Sequence, residues 1–117
     1  MRNPEAFIEN QYSGSRAGLR PIYEAVIAVC RKLGDDVVIV PKKEYVMVRR
    51  TKQFVIVFPC QTNPNQLELG LCLGNQPIAL ERSESFNSPI THRLHLSKPS
   101  DVDLTLQKYL QLAYSLA

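Results

Sequence analysis

The chain has 117 residues, the length of one domain, and at that size a single core forms without staples. Its 44% hydrophobic and 21% charged residues are ordinary for a globular protein. A net charge of +3 is too mild for a generic nucleic-acid binder, so only a local concentration of cations argues for a phosphate-bearing partner.

Residues 1–15 are polar, with Ser13-Gly14-Ser15 as a joint. They read as a flexible segment, or as one that docks through Phe7, Ile8 and Tyr12. Residues 16–117 read as a single α+β domain. The start, Met1-Arg2-Asn3-Pro4-Glu5-Ala6, lacks the apolar region of a signal peptide. No apolar run approaches a membrane span of roughly 18 residues, so no membrane partner and a cytoplasmic location are expected.

A helix is predicted from Pro21 to Leu33. Leu19, Ile22, Val26, Val29, Cys30 and Leu33 recur at helical spacing. Proline is tolerated in the first turn, where no N–H is missed. Gly34 is expected to stop the helix in the left-handed conformation. Val37-Val38-Ile39-Val40 is a short β-branched strand ended by Pro41.

Glu44–Arg49 and Gln53–Phe58 form a predicted hairpin. Tyr45, Met47 and Arg49 share one face of it, and Val46 and Val48 the other. Leu67, Leu69, Leu71 and Leu73 alternate with Glu68, Gly70 and Cys72, the period of a strand with one core face. Residues 75–89 read as a loop holding Ile78, Leu80 and Phe86. Ile90–Leu96 is a fifth strand, with His92, Leu94 and Leu96 on one face and Arg93 and His95 on the other. Ser100 reads as the N-cap of a closing helix, with Asp103 three residues on. That helix carries Val102, Leu106, Tyr109, Leu110, Ala113 and Leu116 on one stripe. The strand connections are too short for helical crossovers. The expected fold is therefore α+β: one mainly antiparallel sheet of about five strands, with an N-terminal and a C-terminal helix on one face.

The order and spacing of several pieces resemble domain of unknown function 5655, an uncharacterised bacterial family. They are Pro41-Lys42-Lys43-x-Tyr45-Val46, Arg49-Arg50, Lys52-Gln53-Phe54, the leucine alternation, Thr91-His92-Arg93 and the final Ala113-Tyr114. Phe7 to Gly14 resembles the lead-in such domains carry, and the likeness spans about residues 6–116. It implies an α+β module, found alone or appended to other domains, some linked to nucleic-acid processing. Lys42, Lys43, Tyr45, Arg49, Phe54, His92 and Arg93 stand at pattern positions, and the resemblance assigns them no catalytic role.

The densest charge lies on the hairpin. Lys42, Lys43, Arg49, Arg50 and Lys52 oppose only Glu44 between Lys42 and Lys52. Arginine offers a planar fork that matches phosphate, and lysine a mobile point charge. Tyr45 and Phe54 could stack on a base if exposed. The leading reading is a non-enzymatic binding module for an anionic ligand or nucleic acid, using Lys42, Lys43, Tyr45, Arg49, Arg50, Lys52 and Arg93. The blander reading is a solvated turn and a charged edge strand that resists aggregation.

Two alternatives stand beside it. Phe54-Val55-Ile56-Val57-Phe58 is apolar on both parities, so the strand is expected to be covered on both faces. Two helices cover one face; the N-terminal segment, the 75–89 loop or a second subunit would cover the other, which makes a homodimer a second reading. The third is a small enzyme using His92 as acid or base and Arg93 as anion clamp, against a histidine satisfied at the core edge.

Asp35-Asp36 read as a solvated turn. His92 and His95 do not read as a metal pair, because strand side chains three apart point to opposite faces. Cys30, Cys60 and Cys72 are an odd count, which excludes a complete disulfide framework, and they have no CxxC spacing, which gives no zinc signature. No cofactor or metal is expected.

Overall fold

A computed structural model of the chain describes residues 4–74, 76 and 88–117. Most of the 75–89 segment, including Ile78, Leu80 and Phe86, lies outside the described residues.

Helix α1 (Pro4–Gln11) and a 3-10 turn (Gly14–Leu19) lead into α2 (Arg20–Arg31). Then come β1 (Val38–Pro41), β2 (Val46–Arg49), β3 (Gln53–Pro59), β4 (Leu67–Leu71) and β5 (His92–Leu96). A second 3-10 turn (Pro99–Asp101) precedes α3 (Leu104–Leu116). The five strands form one antiparallel sheet in sequence order. The protein is thus an α+β domain with the predicted succession of helix, strands and closing helix, and α1 precedes it.

Register explains the core. Val46 lies opposite Val57, Val48 opposite Val55, Val57 opposite Leu69, and Leu67 opposite Leu96. These side chains share one face with Ile22, Val26 and Cys30 of α2 and Leu106, Leu110 and Ala113 of α3. Each fully buried aliphatic residue contributes roughly 1.5–3 kcal/mol. Ile8 and Tyr12, at the N-terminal end, belong to the same cluster.

Several boundaries differ from the predicted ones for local reasons. Strand β2 begins at Val46 rather than Glu44, because Lys42 N–H donates to Tyr45 O (2.8 Å) and holds Tyr45 in the turn. Strand β5 begins at His92 rather than Ile90: Leu73 N–H donates to the Thr91 hydroxyl (2.9 Å), so a side chain interrupts the backbone ladder. Asp103, not Ser100, caps α3, its Oδ1 accepting from Leu106 N (2.9 Å). Ser100 lies in the preceding 3-10 turn, where Asp101 Oδ2 accepts from the amides of Ser97 (2.8 Å) and Lys98 (3.2 Å).

Gly34 does not adopt the left-handed conformation; among the described glycines only Gly14 and Gly74 have positive φ. Its small size serves another purpose, since a Cβ there would collide with the Tyr114 hydroxyl.

A bulge reorganises the apolar strand. Arg49 pairs with Gln53 while Val48 pairs with Val55, so Phe54 is the extra residue. Gln53 stays on the Arg49 side, and both Phe54 and Val55 turn toward the helices, each 0% exposed. The Phe54 ring meets Tyr114 of α3 edge-on, with centroids 5.8 Å apart. Phe54 therefore cannot stack on a ligand. Ile56 and Phe58 remain half-buried on the opposite face, which no helix covers among the described residues. Nor is any helix among them long and apolar enough to cross a membrane.

Candidate functional site

The basic hairpin does not form one patch. Lys42 and Lys43 lie in the turn before β2, whereas Arg49, Arg50 and Lys52 lie at its far end. At about 3.3 Å per residue β2 alone sets Val46 and Arg49 roughly 10 Å apart, and the turns carry the two groups further from each other, to opposite ends of the strand. Arg50 is also engaged: its Nε lies 2.7 Å from Asp36 Oδ2, and its guanidinium stacks 4.5 Å from the centroid of the Tyr114 ring. Asp36 is therefore not simply a solvated turn residue. The Tyr114 hydroxyl donates to its Oδ1 (2.6 Å), and this bond, followed by the one from Arg50, holds its carboxyl below the usual range. Among the described residues no carboxylate pairs with Lys42, Lys43, Arg49 or Lys52.

His92 and Arg93 leave opposite faces of β5. His92 sits opposite Leu71, is 1% exposed, and shares a 2.7 Å hydrogen bond between its Nδ1 and Thr91 Oγ1. It is a core-edge histidine, out of reach of a substrate on the open face. Arg93 emerges opposite Gly70 on that open face. Its Nη1 donates to Glu68 Oε2 (2.7 Å), and His95 Nε2 donates to Glu68 Oε1 (3.0 Å).

The open face carries two adjoining hollows of about 420 Å³ each. One is bounded by Tyr45, Gln53, Ile56, Phe58, Ile90 and Arg93. The other is bounded by Asn10, Gln11, Arg16, Lys43 and Pro59. Glu44, Phe58 and Gln61 border both, so the two adjoin at these residues and together make a trough. It runs from Arg16 and Lys43, past Tyr45 and Phe58, to Arg93.

Two local features shape this trough. The buried Gln11 side chain donates from Nε2 to the carbonyls of Lys42 (2.8 Å) and Tyr45 (3.3 Å), which fixes the turn bearing Lys43. Gly70 lets the sheet surface come close to the Ile90 side chain: a Cβ on it would lie 2.9 Å from Ile90 Cδ1 and 3.0 Å from Ile56 Cγ1. The trough combines an apolar floor with polar groups at both ends, the general make-up of small-ligand sites.

Of the residues singled out by sequence, Lys43, Tyr45 and Arg93 thus share one trough. Arg49, Arg50 and Lys52 do not line it, although Gln53, the strand partner of Arg49, does. Arg16, Asn10 and Gln61 join it without any local signal in the sequence.

A family model described as "Domain of unknown function (DUF5655)" matches residues 8–117. No curated protein and no solved structure matches the chain.

Proposed function

The chain belongs to the domain of unknown function 5655 family; from the geometry of its open sheet face we propose that it is a small binding module. Its ligand lies in the trough and carries an anionic group, such as a phosphate or carboxylate, beside a planar or apolar portion. Lys43 and Arg16 attract the anion at one end. Tyr45, Phe58 and Ile56 pack against the apolar part, and Gln61 supplies hydrogen bonds midway.

The observation that carries this reading is that the two hollows adjoin at Glu44, Phe58 and Gln61. This joins cations that lie far apart in sequence to an apolar floor. A rigid sheet positions such a site with little ordering loss on binding. Lys42 stands at the same end and adds to the local positive potential. Arg49 and Lys52 fit a different occupant, a nucleic-acid strand along the hairpin, whose affinity would fall steeply with salt.

Amide chemical-shift mapping of the labelled protein with inorganic phosphate, mononucleotides and a short single-stranded oligonucleotide separates these occupants. The trough reading expects mononucleotide-induced shifts at Lys43, Tyr45, Ile56 and Gln61, reduced in Lys43→Ala. Shifts confined to residues 49–52, seen only with the oligonucleotide, would transfer the function to the hairpin. Silence with every probe would reject both.

A further inference from the structure

Beside the trough, three chemically dissimilar side chains converge. Cys60 Sγ, a Glu68 carboxylate oxygen and a His95 ring nitrogen all lie within 4.8 Å of one another. Antiparallel pairing brings them together. Glu68 lies directly opposite His95. Cys60 follows β3, its N–H donating to Gln66 O (2.9 Å), which puts Glu68 diagonally across from it on the open face. We propose that Cys60, Glu68 and His95 form a binding site for a divalent transition-metal ion of the zinc type.

The donor set argues for that class. A thiolate beside an imidazole selects zinc-like ions over magnesium or calcium, which prefer oxygen alone. Three protein ligands leave one position of a tetrahedron open. With bonds of about 2.0–2.3 Å, tetrahedral donors sit roughly 3.5 Å apart, so any separation near the 4.8 Å limit must contract, while His95 Nε2 and Glu68 Oε1, at 3.0 Å, are already that close.

The distribution of burial allows that contraction. Cys60 is 3% exposed and the Glu68 side chain 13%, so both are held by packing. The His95 side chain is 45% exposed and can turn inward. Outer partners are present too. Arg93 Nη1 donates to Glu68 Oε2 and leaves Oε1 facing His95. The Thr62 hydroxyl lies 3.3 Å from Cys60 Sγ. Such second contacts orient metal-ligating carboxylates and thiolates.

The Cys60 thiol releases its proton to solvent on binding, and thiolate and carboxylate offset the two charges of the ion, with Arg93 on the far carboxylate oxygen leaving one positive charge. A ligating imidazole is neutral, so when Nε2 of His95 binds the ion the ring proton sits on Nδ1. This site needs no ligand in the trough.

Cobalt is the test probe. Metal-free protein titrated with Co²⁺ should develop a thiolate-to-cobalt absorption band in the near ultraviolet and intense visible bands of four-coordination, saturating at one equivalent. Zn²⁺ should abolish these bands and raise Tm. Cys60→Ser and His95→Ala should each lose the bands, and Cys72→Ser should keep them. His95 is exposed, so His95→Ala keeps the test decisive if Cys60→Ser fails to fold. Wild-type protein without bands, or bands that survive His95→Ala at full strength, would overturn the proposal.

Discussion

Arg50 and Asp36 form a 2.7 Å ion pair that ties the β2–β3 turn to the segment following α2. Tyr114 of α3 closes the group, its ring under the guanidinium and its hydroxyl on the same carboxylate. The most engaged arginine of the basic hairpin is thus a structural clamp. Arg50→Ala should lower Tm while leaving the affinity for mononucleotides within about twofold, as expected for separated sites. Calorimetry of the variant with a binding titration checks both halves. A large loss of affinity at unchanged Tm would mean that Arg50 contacts the ligand.

The same clamp predicts a pH dependence. The Asp36 pKa is lowered in the folded state, first by the Tyr114 hydroxyl and then by Arg50. A depressed carboxylate stabilises the fold above its unfolded value, about 3.9, and that contribution is lost as pH falls through the lower folded value. The Tm gap between wild type and Asp36→Asn should therefore be constant from neutrality to about pH 5 and narrow below about pH 4. A gap that persists undiminished through the acid range would remove Asp36 from the account.

Gln11 holds the trough from beneath. Its single amide serves the carbonyls of Lys42 and Tyr45. Gln11→Ala removes the amide from the Lys42 carbonyl, while Tyr45 O keeps the Lys42 N–H, and should destabilise the fold by about 1–3 kcal/mol. It should also loosen the Lys42–Tyr45 turn, with faster amide exchange at Lys42, whose N–H closes it onto Tyr45 O. Denaturant melts and hydrogen exchange read the two effects; unchanged exchange at Lys42 would leave the turn self-supporting.

Gly70 tests the floor of the trough. A methyl group there must displace Ile90 or Ile56, so Gly70→Ala should destabilise by about 1–3 kcal/mol. Truncating the crowding partner should relieve it: in an Ile90→Ala background the same substitution should cost much less. Equal costs in both backgrounds would show that Ile90 is not what Gly70 accommodates.

The cysteines should differ sharply in reactivity. Burial pushes the Cys30 thiol up to about 12, and the side chain is fully enclosed. Cys72 is only partly buried, though its thiol is raised as well, mainly by desolvation. A thiol-specific chromogenic reagent at mild alkaline pH should modify Cys72 in the native protein and Cys30 only as the chain unfolds. Mass spectrometry of timed digests would show the order, and early labelling of Cys30 would contradict its enclosure.

Local patterning carried a large part of the fold. The leucine alternation through Leu67–Leu73 and the stripe of α2 depend on neighbours within a few residues. They announced a strand with one core face and an amphipathic helix, and β4 and α2 follow. The opposed faces of β2 were readable for the same reason, with Val46 and Val48 both enclosed. The Gln53–Phe54 bulge was not readable, because an apolar run reads alike whether or not one residue is extra. The N-cap passed from Ser100 to Asp103 because capping depends on where the 3-10 turn before α3 ends.

What the chain determined alone was its sequence of elements and the inward parity of most strands, since both follow from side-chain period. Only the tertiary structure decided the meeting of distant residues. It separated Lys43 from Arg50 along β2, coupled Arg50 to Asp36, and set Glu68 against Arg93 and His95. These pairings come from strand register and helix docking. Those are properties of the packed chain, in which side chains dozens of residues apart become nearest neighbours.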